Sequence, residues 1–401
     1  MTRLVDVVNF NADASCLAAG EWLAILEGGE RSRLCQWLGI FVELRRPVVL
    51  GFIGGAIADM AAFNPEAIAL INANPNVFDL VQRPFSHDVG LLRSRRGFIR
   101  NLDLGRATAR REFRDADEFF LPPEFMLSNS QVKNLSDNGS AGTFLNSTRF
   151  KEEIRQQLPK IPFILEGVLG SQLPCIPFEG TLTPAYLDAL HTFNSAPWAE
   201  AVRSAGTTHV FMWRDGESCF LVPDGIERER HWLAGEPSDI RRETLRSALT
   251  DLHFASSDEL PADALRSYPV HSFSAWFKEF RMLGFLDRLE RIEARLDSLS
   301  QDLLVVWLQA INSDILSAVE KDSPVVSLLS LPGRRQTKTL HTIWRSDRGF
   351  EGEDYLALLE AALESPDALD YIWTSTKPHF RKLRARVEYV RRLEDGTAIA
   401  T

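Results

Sequence analysis

Polar side chains that can do acid–base, nucleophilic or ligand chemistry follow three predicted strands in the first third of the chain. Asn11 and Asp13 follow the first strand, His87 and Asp88 follow the third, and Glu124 follows the fourth. In a sheet of parallel strands, the carboxyl ends meet at one edge, where ligands bind. We therefore expect these side chains to lie in one site.

The polar groups after the first and third strands each allow a functional and a structural interpretation. Asp13 can bind a metal ion, hydrogen-bond a sugar hydroxyl or act as a general base, but Asp is also a common helix N-cap. His87 can be a metal ligand, a proton donor or the partner of a substrate oxygen, whereas a His87–Asp88 pair is also typical of a cap. One helical turn after His87 the chain has Leu91, so the spacing of a two-histidine metal site is absent.

Glu124 follows the sequence Leu121-Pro122-Pro123. Two prolines fix the backbone of this turn, and a rigid turn suits a nucleophile or an acid, whose position must be held within a fraction of an ångström. The structural alternative is a glutamate that caps the following helix.

A further pair of carboxylates occurs in Trp213-Arg214-Asp215-Gly216-Glu217, between two apolar runs. An Asp-Gly pair in this setting predicts a β-hairpin, in which Asp215 and Glu217 are turn residues. The chain has no glycine-rich phosphate loop, no Gly-x-Ser-x-Gly elbow and no dinucleotide fingerprint.

Strands and helices alternate over the part of the chain that carries these residues. The predicted strands cover residues 4–10, 47–53, 77–81, 118–121, 142–145, 163–168 and 209–213. Such alternation predicts a mostly parallel sheet, open or closed into a barrel. From residue 272 onward, apolar residues recur at steps of three and four, which predicts helices. We expect a barrel domain over residues 1–252 and a helical domain over residues 253–401, in which the basic stretch 379–392 is a solvated face.

Composition excludes several classes of protein. The 401 residues carry 45 Lys+Arg against 55 Asp+Glu, a formal net charge of −10, which argues against a nucleic acid or an anionic membrane as partner. No apolar run approaches the roughly 18 residues of a membrane helix. The four cysteines form no CxxC pair and predict neither a disulfide framework nor a zinc site, as expected in the cytoplasm. They are Cys16, Cys35, Cys175 and Cys219.

The order of these motifs resembles the superfamily of glycoside hydrolases and polysaccharide deacetylases built on an incomplete, usually seven-stranded (β/α) barrel. The motifs run from the acidic first-strand end through Pro84-Phe85-Ser86-His87 and Phe120-Leu121-Pro122-Pro123-Glu124 to Gly142-Thr143-Phe144-Leu145. The chain is most similar to the family-57 glycoside hydrolases, which include amylases, glucanotransferases and branching enzymes. That resemblance implies an α/β fold, a distorted (β/α)7-type barrel followed by a C-terminal helical domain.

The resemblance also implies roles for individual residues. Glu124 matches the nucleophile of the fourth-strand motif, His87 matches the third-strand histidine, and Asp215 is matched to the acid/base aspartate of a later motif. The family has His-Gln-Pro in its first motif, where this chain has Asn11-Ala12-Asp13, which is closer to the acidic first motif of deacetylases and mannosidases.

The function implied is a retaining glycoside hydrolase or transglycosidase that needs no cofactor. Asp215 or Asp13 would supply the second carboxylate, while His87, Asp88, Asn11 and Trp213 would bind the sugar. One alternative is a metal-dependent carbohydrate deacetylase with a divalent metal at Asp13 and His87. Another is a catalytically silent barrel that binds a sugar or a protein.

Overall fold

The computed structural model describes residues 2–12, 19–146, 160–256, 280–312 and 352–396. Strands and helices alternate through its first two thirds, as predicted. The strands of the described residues are β1 Thr2–Phe10, β2 Val48–Phe52, β3 Phe78–Gln82, β4 Ala116–Phe120, β5 Gly142–Asn146, β6 Phe163–Glu166, β7 Gln172–Phe178, β8 His209–Asp215 and β9 Ile240–Arg242.

Helices follow most of the strands, and more helices make up the C-terminal part. Those of the barrel part are α1 Ala19–Leu26, α2 Arg33–Leu44, α3 Gly54–Phe63, α4 Pro65–Ala73, α5 Arg95–Glu112, α6 Asn129–Asp137, α7 Leu182–Thr192, α8 Ala196–Ser204, α9 Ser218–Leu221, α10 Gly225–Ala234 and α11 Leu245–Leu249. Those of the C-terminal part are α12 Phe280–Glu293, α13 Gln301–Ala310, α14 Gly352–Glu364, α15 Asp370–Thr374 and α16 Pro378–Glu394.

One sheet contains all of these strands, in the order β6-β7-β5-β4-β3-β2-β1-β8, with β9 beside the start of β1. Every pair is parallel except β6 with β7. The distant strands β7 and β8 approach each other where the Glu179 N–H donates to the Phe211 carbonyl at 2.8 Å. The predicted α/β fold with a mostly parallel sheet is therefore confirmed.

Strand β1 shows why the sheet lies between two apolar layers. Its residues alternate in direction, so Leu4 and Val8 pack in the cluster that contains the helices, whereas Val5 and Val7 pack with the other strands. The second cluster takes a side chain from each of seven strands, as expected for the interior of a barrel-like sheet. These side chains include Val5, Val49, Val81, Phe119, Phe144, Ile176 and Phe211.

The C-terminal helices share an apolar core with the barrel part. Their cluster includes Ala58 of α3, Leu104 of α5, and Phe85 of the loop that follows β3. The expectation that residues 379–392 form a solvated face is wrong, because Arg386 is fully buried and its guanidinium binds the carboxylate of Asp59 through bonds of 2.9 and 2.6 Å. The division into domains at residues 252 and 253 stays a prediction.

The predicted hairpin around residues 215 and 216 is wrong. The apolar run after the turn forms the short helix α9 rather than a second strand. Gly216 continues the line of β8, and its N–H donates to the Asn9 carbonyl at 2.8 Å. A Cβ on Gly216 would lie 2.2 Å from the ring of Phe10, so this glycine is required for close packing rather than for a hairpin turn. In the described part of the chain, no helix is long and apolar enough to cross a membrane.

Candidate active site

The carboxyl ends of β1, β3 and β8 are joined by side-chain hydrogen bonds. Asn11 Nδ2 lies 2.6 Å from His87 Nδ1, which links the residue after β1 to the loop after β3. Asn9 Nδ2 donates to Asp215 Oδ1 at 3.0 Å, and the backbone N–H of Asn11 donates to Glu217 Oε1. The structure thus brings together two of the three strand ends that were predicted to meet, those of β1 and β3, and adds the end of β8, which carries Asp215.

Glu124 occupies a strained position in the turn that follows β4. Its φ is 53° and that of Phe125 is 54°, both in the left-handed region that residues with a Cβ seldom adopt. Backbone strain of this kind persists only where the surroundings impose it, and it clusters at functional sites. The capping alternative is wrong, because Ser128 caps the following helix α6, with Gln131 completing a capping box.

Aromatic rings join the Glu124 turn to β7 and β8. The ring of Phe125 lies 4.9 Å from that of Trp213 and 5.5 Å from that of Phe178, in edge-on contacts. Phe125 is buried, whereas Trp213 is half-buried. These contacts bring the turn after β4 next to the carboxyl end of β8. Trp213 stays partly exposed to solvent there.

Asp215 and the residue before it have opposite environments. Asp215 is exposed at the end of β8, whereas Arg214 is buried and binds Asp6 at 3.0 Å and Glu229 at 2.7 Å. Burial alone would lower the pKa of Arg214, but Asp6 and then Glu229 raise it well above its ordinary value. Burial would raise the pKa of Asp6, and Arg214 and Arg242 instead hold it below the ordinary value. This ion-pair network fixes β8 against β1 just behind Asp215.

Asp88 joins the loop after β3 to the helical part of the chain. It accepts a bond of 3.1 Å from Arg93 Nε, and Arg93 Nη1 donates to Glu293 of α12 at 2.8 Å. Burial raises the pKa of Asp88 to about 7, an effect that Arg93 reduces and Glu293 increases. A backbone bridge connects Asp88 with Asn312. The role of Asp88 in sugar binding stays a prediction.

The metal-binding alternative concerns Asp13 and His87. Asp13, like Cys16, lies outside the described residues. Across the residues that the structure does describe, no group of three or more His, Cys, Asp or Glu side chains could hold a metal ion. Cys35, Cys175 and Cys219 are buried free thiols.

Two residues at this end of the sheet were not predicted as site residues. Glu217, which is 3 % exposed, accepts the bond from Asn11; its place two residues after Asp215 was the available signal. Lys382 of α16, which is 4 % exposed, donates to the Ala12 carbonyl at 3.1 Å. Nothing local marks Lys382, because 370 positions separate it from Ala12.

Comparison with known proteins gives matches among solved structures. No family model matches the chain, and no curated protein matches it by sequence. An α-amylase from Thermotoga maritima is similar with a TM-score of 0.54 at 9% identity, over 96% of this chain and 99% of the amylase. A GH57 branching enzyme from Thermococcus kodakaraensis has a TM-score of 0.51 at 12% identity, over 98% and 90% of the two chains.

A third similar structure, the 4-α-glucanotransferase from Thermococcus litoralis, has a TM-score of 0.52 at 14% identity. The match covers 81% of this chain and 54% of the glucanotransferase, so this chain spans about half of that protein. At such identities the likeness shows the fold. This chain has the barrel-like α/β fold of these three solved structures, followed by helices, as the sequence motifs predicted.

Proposed function

We propose that this protein is a carbohydrate-active enzyme that cleaves or transfers glycosidic bonds with retention of configuration. The observation that carries the proposal is the turn at Glu124, whose backbone is strained and whose next residue, Phe125, contacts the ring of Trp213. Asp215 ends the strand that bears Trp213, which supports its choice as the second carboxylate. The similar structures are an amylase, a branching enzyme and a glucanotransferase, which supports a sugar substrate.

In the proposed reaction Glu124 is the nucleophile and Asp215 the acid/base. A Glu124 oxygen attacks the anomeric carbon while Asp215 gives its proton to the leaving glycosidic oxygen, so one C–O bond forms as the other breaks. Asp215 then takes a proton from water or from an acceptor sugar, which attacks the anomeric carbon and releases Glu124. A retaining pair of this kind requires carboxyl groups about 5–5.5 Å apart.

The neighbouring side chains suit the binding of a neutral sugar. The half-buried indole of Trp213 offers an apolar face against which a pyranose ring can stack, and the ring of Phe125 contacts that indole edge-on. His87 and Asn11 present polar atoms for sugar hydroxyls. The net charge of −10 disfavours polyanionic substrates and is compatible with an uncharged glucan.

The second carboxylate of the proposal is Asp215, with Asp13 as the alternative. The amide of Asn9 donates to Asp215 Oδ1, which fixes the carboxyl group at the end of β8. The variants Asp215→Asn and Asp13→Asn distinguish the two. We expect Asp215→Asn to lower kcat by about 10²- to 10⁴-fold, the usual contribution of a general acid. A comparable loss only in Asp13→Asn would assign the role to Asp13.

Assays on a panel of α-glucans and oligosaccharides test the function. We expect turnover in the wild type and a loss of about 10³-fold or more in Glu124→Gln, because the amide is not a nucleophile. Glu118→Gln is the matched control, since Glu118 lies on the same strand β4 and pairs with Arg110 at the surface. Sugar binding without turnover, unchanged in Glu124→Gln, would instead identify a silent binding barrel. Metal-dependent release of acetate from acetylated sugars would identify a deacetylase.

We also propose that the protein works in the cytoplasm. Buried free thiols at Cys35, Cys175 and Cys219 are typical of a reducing compartment. Fractionation of the source cells with an antibody tests this, and recovery outside the cytoplasm would contradict it.

A further inference from the structure

We propose that Asn11 and Glu217 are positioning residues that hold the neutral His87 ring with its proton on Nε2. His87 is then a hydrogen-bond donor, and in the proposed function its Nε2–H binds a sugar oxygen. The binding of a sugar oxygen rests on the proposed function, whereas the position of the proton on the ring does not.

The contact between Asn11 and His87 decides which ring nitrogen carries the proton. The atoms in contact are Nδ2 of Asn11 and Nδ1 of His87, at 2.6 Å. An amide nitrogen has two protons to donate and no lone pair to accept with, so Nδ1 must be the acceptor. A neutral imidazole has one donor and one acceptor nitrogen, which leaves the proton on Nε2.

Glu217 fixes the residue that makes this contact. Its carboxylate accepts the backbone N–H of Asn11, and the charge on the acceptor makes this bond stronger than one between neutral groups. Asn11 is 4 %, Glu217 3 % and His87 6 % exposed, so little water competes for these bonds. The side chain of Asn11 therefore approaches the imidazole from a backbone that β8 holds in place.

The same arrangement bears on the metal-binding alternative. A histidine that binds a metal through Nε2 usually donates its Nδ1–H to a carboxylate or a carbonyl oxygen. An amide NH₂ group on Nδ1 favours the opposite proton position, in which Nε2 has no lone pair for a cation. The pair of Asn11 and Glu217 thus suits a histidine that recognises hydroxyl groups.

Nitrogen-15 spectra of labelled protein read the proton position directly, without substrate. They are recorded at mildly alkaline pH, where imidazoles are neutral, and the His87 signals are assigned from their loss in His87→Gln. We expect the Nε2–H pattern in the wild type. We expect Asn11→Asp to shift the proton to Nδ1, because a carboxylate accepts and does not donate. A wild-type ring protonated on Nδ1, or a ring unchanged in Asn11→Asp, would overturn the proposal.

The role of Glu217 is tested in the same spectra. Glu217→Ala should give a mixture of both proton positions, whereas Glu217→Gln should retain the wild-type pattern, because its amide oxygen still accepts the Asn11 N–H. Asn72→Asp is the matched control for Asn11→Asp. Asn72 also donates from Nδ2, in its case to the Glu112 carbonyl at 2.8 Å, between α4 and α5. An unmixed Nε2–H pattern in Glu217→Ala would contradict the role of Glu217.

Kinetics then separate this proposal from the proposed function. With a glycosidic substrate, Asn11→Asp should lower kcat about 10-fold or more, because a lost donor weakens transition-state binding. Glu217→Ala should lower kcat less, because part of its molecules keep the Nε2–H donor, and Glu217→Gln should be close to the wild type. A chain without glycosidase activity that still shows the Nε2–H ring refutes the function and leaves the ring assignment intact. Full kcat in a variant whose ring has changed would refute the donor role.

Discussion

Neighbouring residues on β8 serve different purposes because a strand turns successive side chains to opposite faces. Arg214 is buried beside Asp6, Tyr186 and Glu229, while Asp215 reaches the exposed strand end. Each buried charge has lost its hydration and is stabilised by the opposite charges around it, so the removal of one charge destabilises the others. The carboxylate that we propose as the acid/base, Asp215, is therefore placed by a neighbour that has no role in the proposed reaction.

Replacement of Arg214 by Met tests this dependence. We expect a loss of about 3–5 kcal/mol in the free energy of unfolding, because Glu229 stays buried after losing its ion pair with Arg214 and Asp6 keeps only Arg242. Urea unfolding followed by circular dichroism measures it. Arg203→Met is the control, since Arg203 pairs with Asp239 at the surface and should matter little. Equal losses of unfolding free energy in the two variants would show that the buried ion pairs stabilise the protein no more than the surface pair does.

The raised pKa of Asp88 predicts a pH dependence of stability. The folded pKa of about 7 lies above the value of an unfolded aspartic acid, so the folded state binds more protons between about pH 4 and pH 7. The contribution of Asp88 is full below about pH 4 and is lost as pH rises through 7. Asp88→Asn should make the free energy of unfolding depend less on pH over this range. Asp103→Asn, at an exposed site on α5, should leave that dependence unchanged. An unchanged slope in Asp88→Asn would contradict this.

The positions of the candidate residues relative to the strands could be predicted from the sequence. Asn11, His87 and Glu124 each follow an apolar run that the structure shows to be a strand, whereas their roles stay predictions. Which atoms meet could not be predicted, since Asn11 and His87 are 76 positions apart and their contact depends on how β1, β2 and β3 are arranged in the sheet.

At the scale of elements, the turn after β4 has a strained backbone at the residue that we propose as the nucleophile. Pro122 and Pro123 restrict the chain, and Glu124 and Phe125 follow with positive φ. A residue with a Cβ in this region costs roughly 1–2 kcal/mol, which the packing of Phe125 against Trp213 and Phe178 must offset.

Two variants that both lack the Glu124 carboxylate test the strain. We expect Glu124→Gly to be more stable than Glu124→Ala by about 1 kcal/mol, because glycine adopts positive φ without steric cost. Urea midpoints of the two proteins measure the difference. Both should lack activity. An alanine variant as stable as the glycine variant, or more so, would show that the backbone at this position is relaxed.

Prolines and a misleading Asp-Gly pair account for the elements that were wrong or missed. Strand β7 contains Pro174 and Pro177, which normally argue against a strand, yet it pairs with β5 and β6. After β8, Asp215 and Gly216 look like a hairpin turn, but Gly216 is required by the ring of Phe10. The deciding contacts come from distant parts of the chain, so local patterns could not reveal them.

At the scale of the molecule, the C-terminal helices are tied to the barrel through buried polar contacts. Arg386 of α16 binds Asp59 of α3, which also accepts from the indole of Trp22 at 3.0 Å. Lys382 of the same helix reaches the Ala12 carbonyl next to Asn11. Sequence periodicity predicted these helices, but it assigned their basic residues to solvent because their partners lie more than 300 positions away.

Arg386→Met tests whether the two parts unfold together. Because they share a core and this buried ion pair, we expect a single calorimetric transition in the wild type and a loss of about 3–5 kcal/mol in the variant, again in one transition. Arg381→Met, one helical turn away in an exposed pair with Glu27, is the control. Two separate transitions, with only one shifted in Arg386→Met, would contradict the shared core.

The most direct test of the account is to trap the sugar on the enzyme. A fluorinated glycoside that forms the glycosyl-enzyme but reacts onward slowly is incubated with the protein, which is then digested and analysed by mass spectrometry. A retaining mechanism predicts one sugar per chain, bonded to Glu124, and no label in Glu124→Gln. A label on another carboxylate, or glycosidase turnover that never yields a labelled protein, would contradict the assignment of Glu124 as the nucleophile.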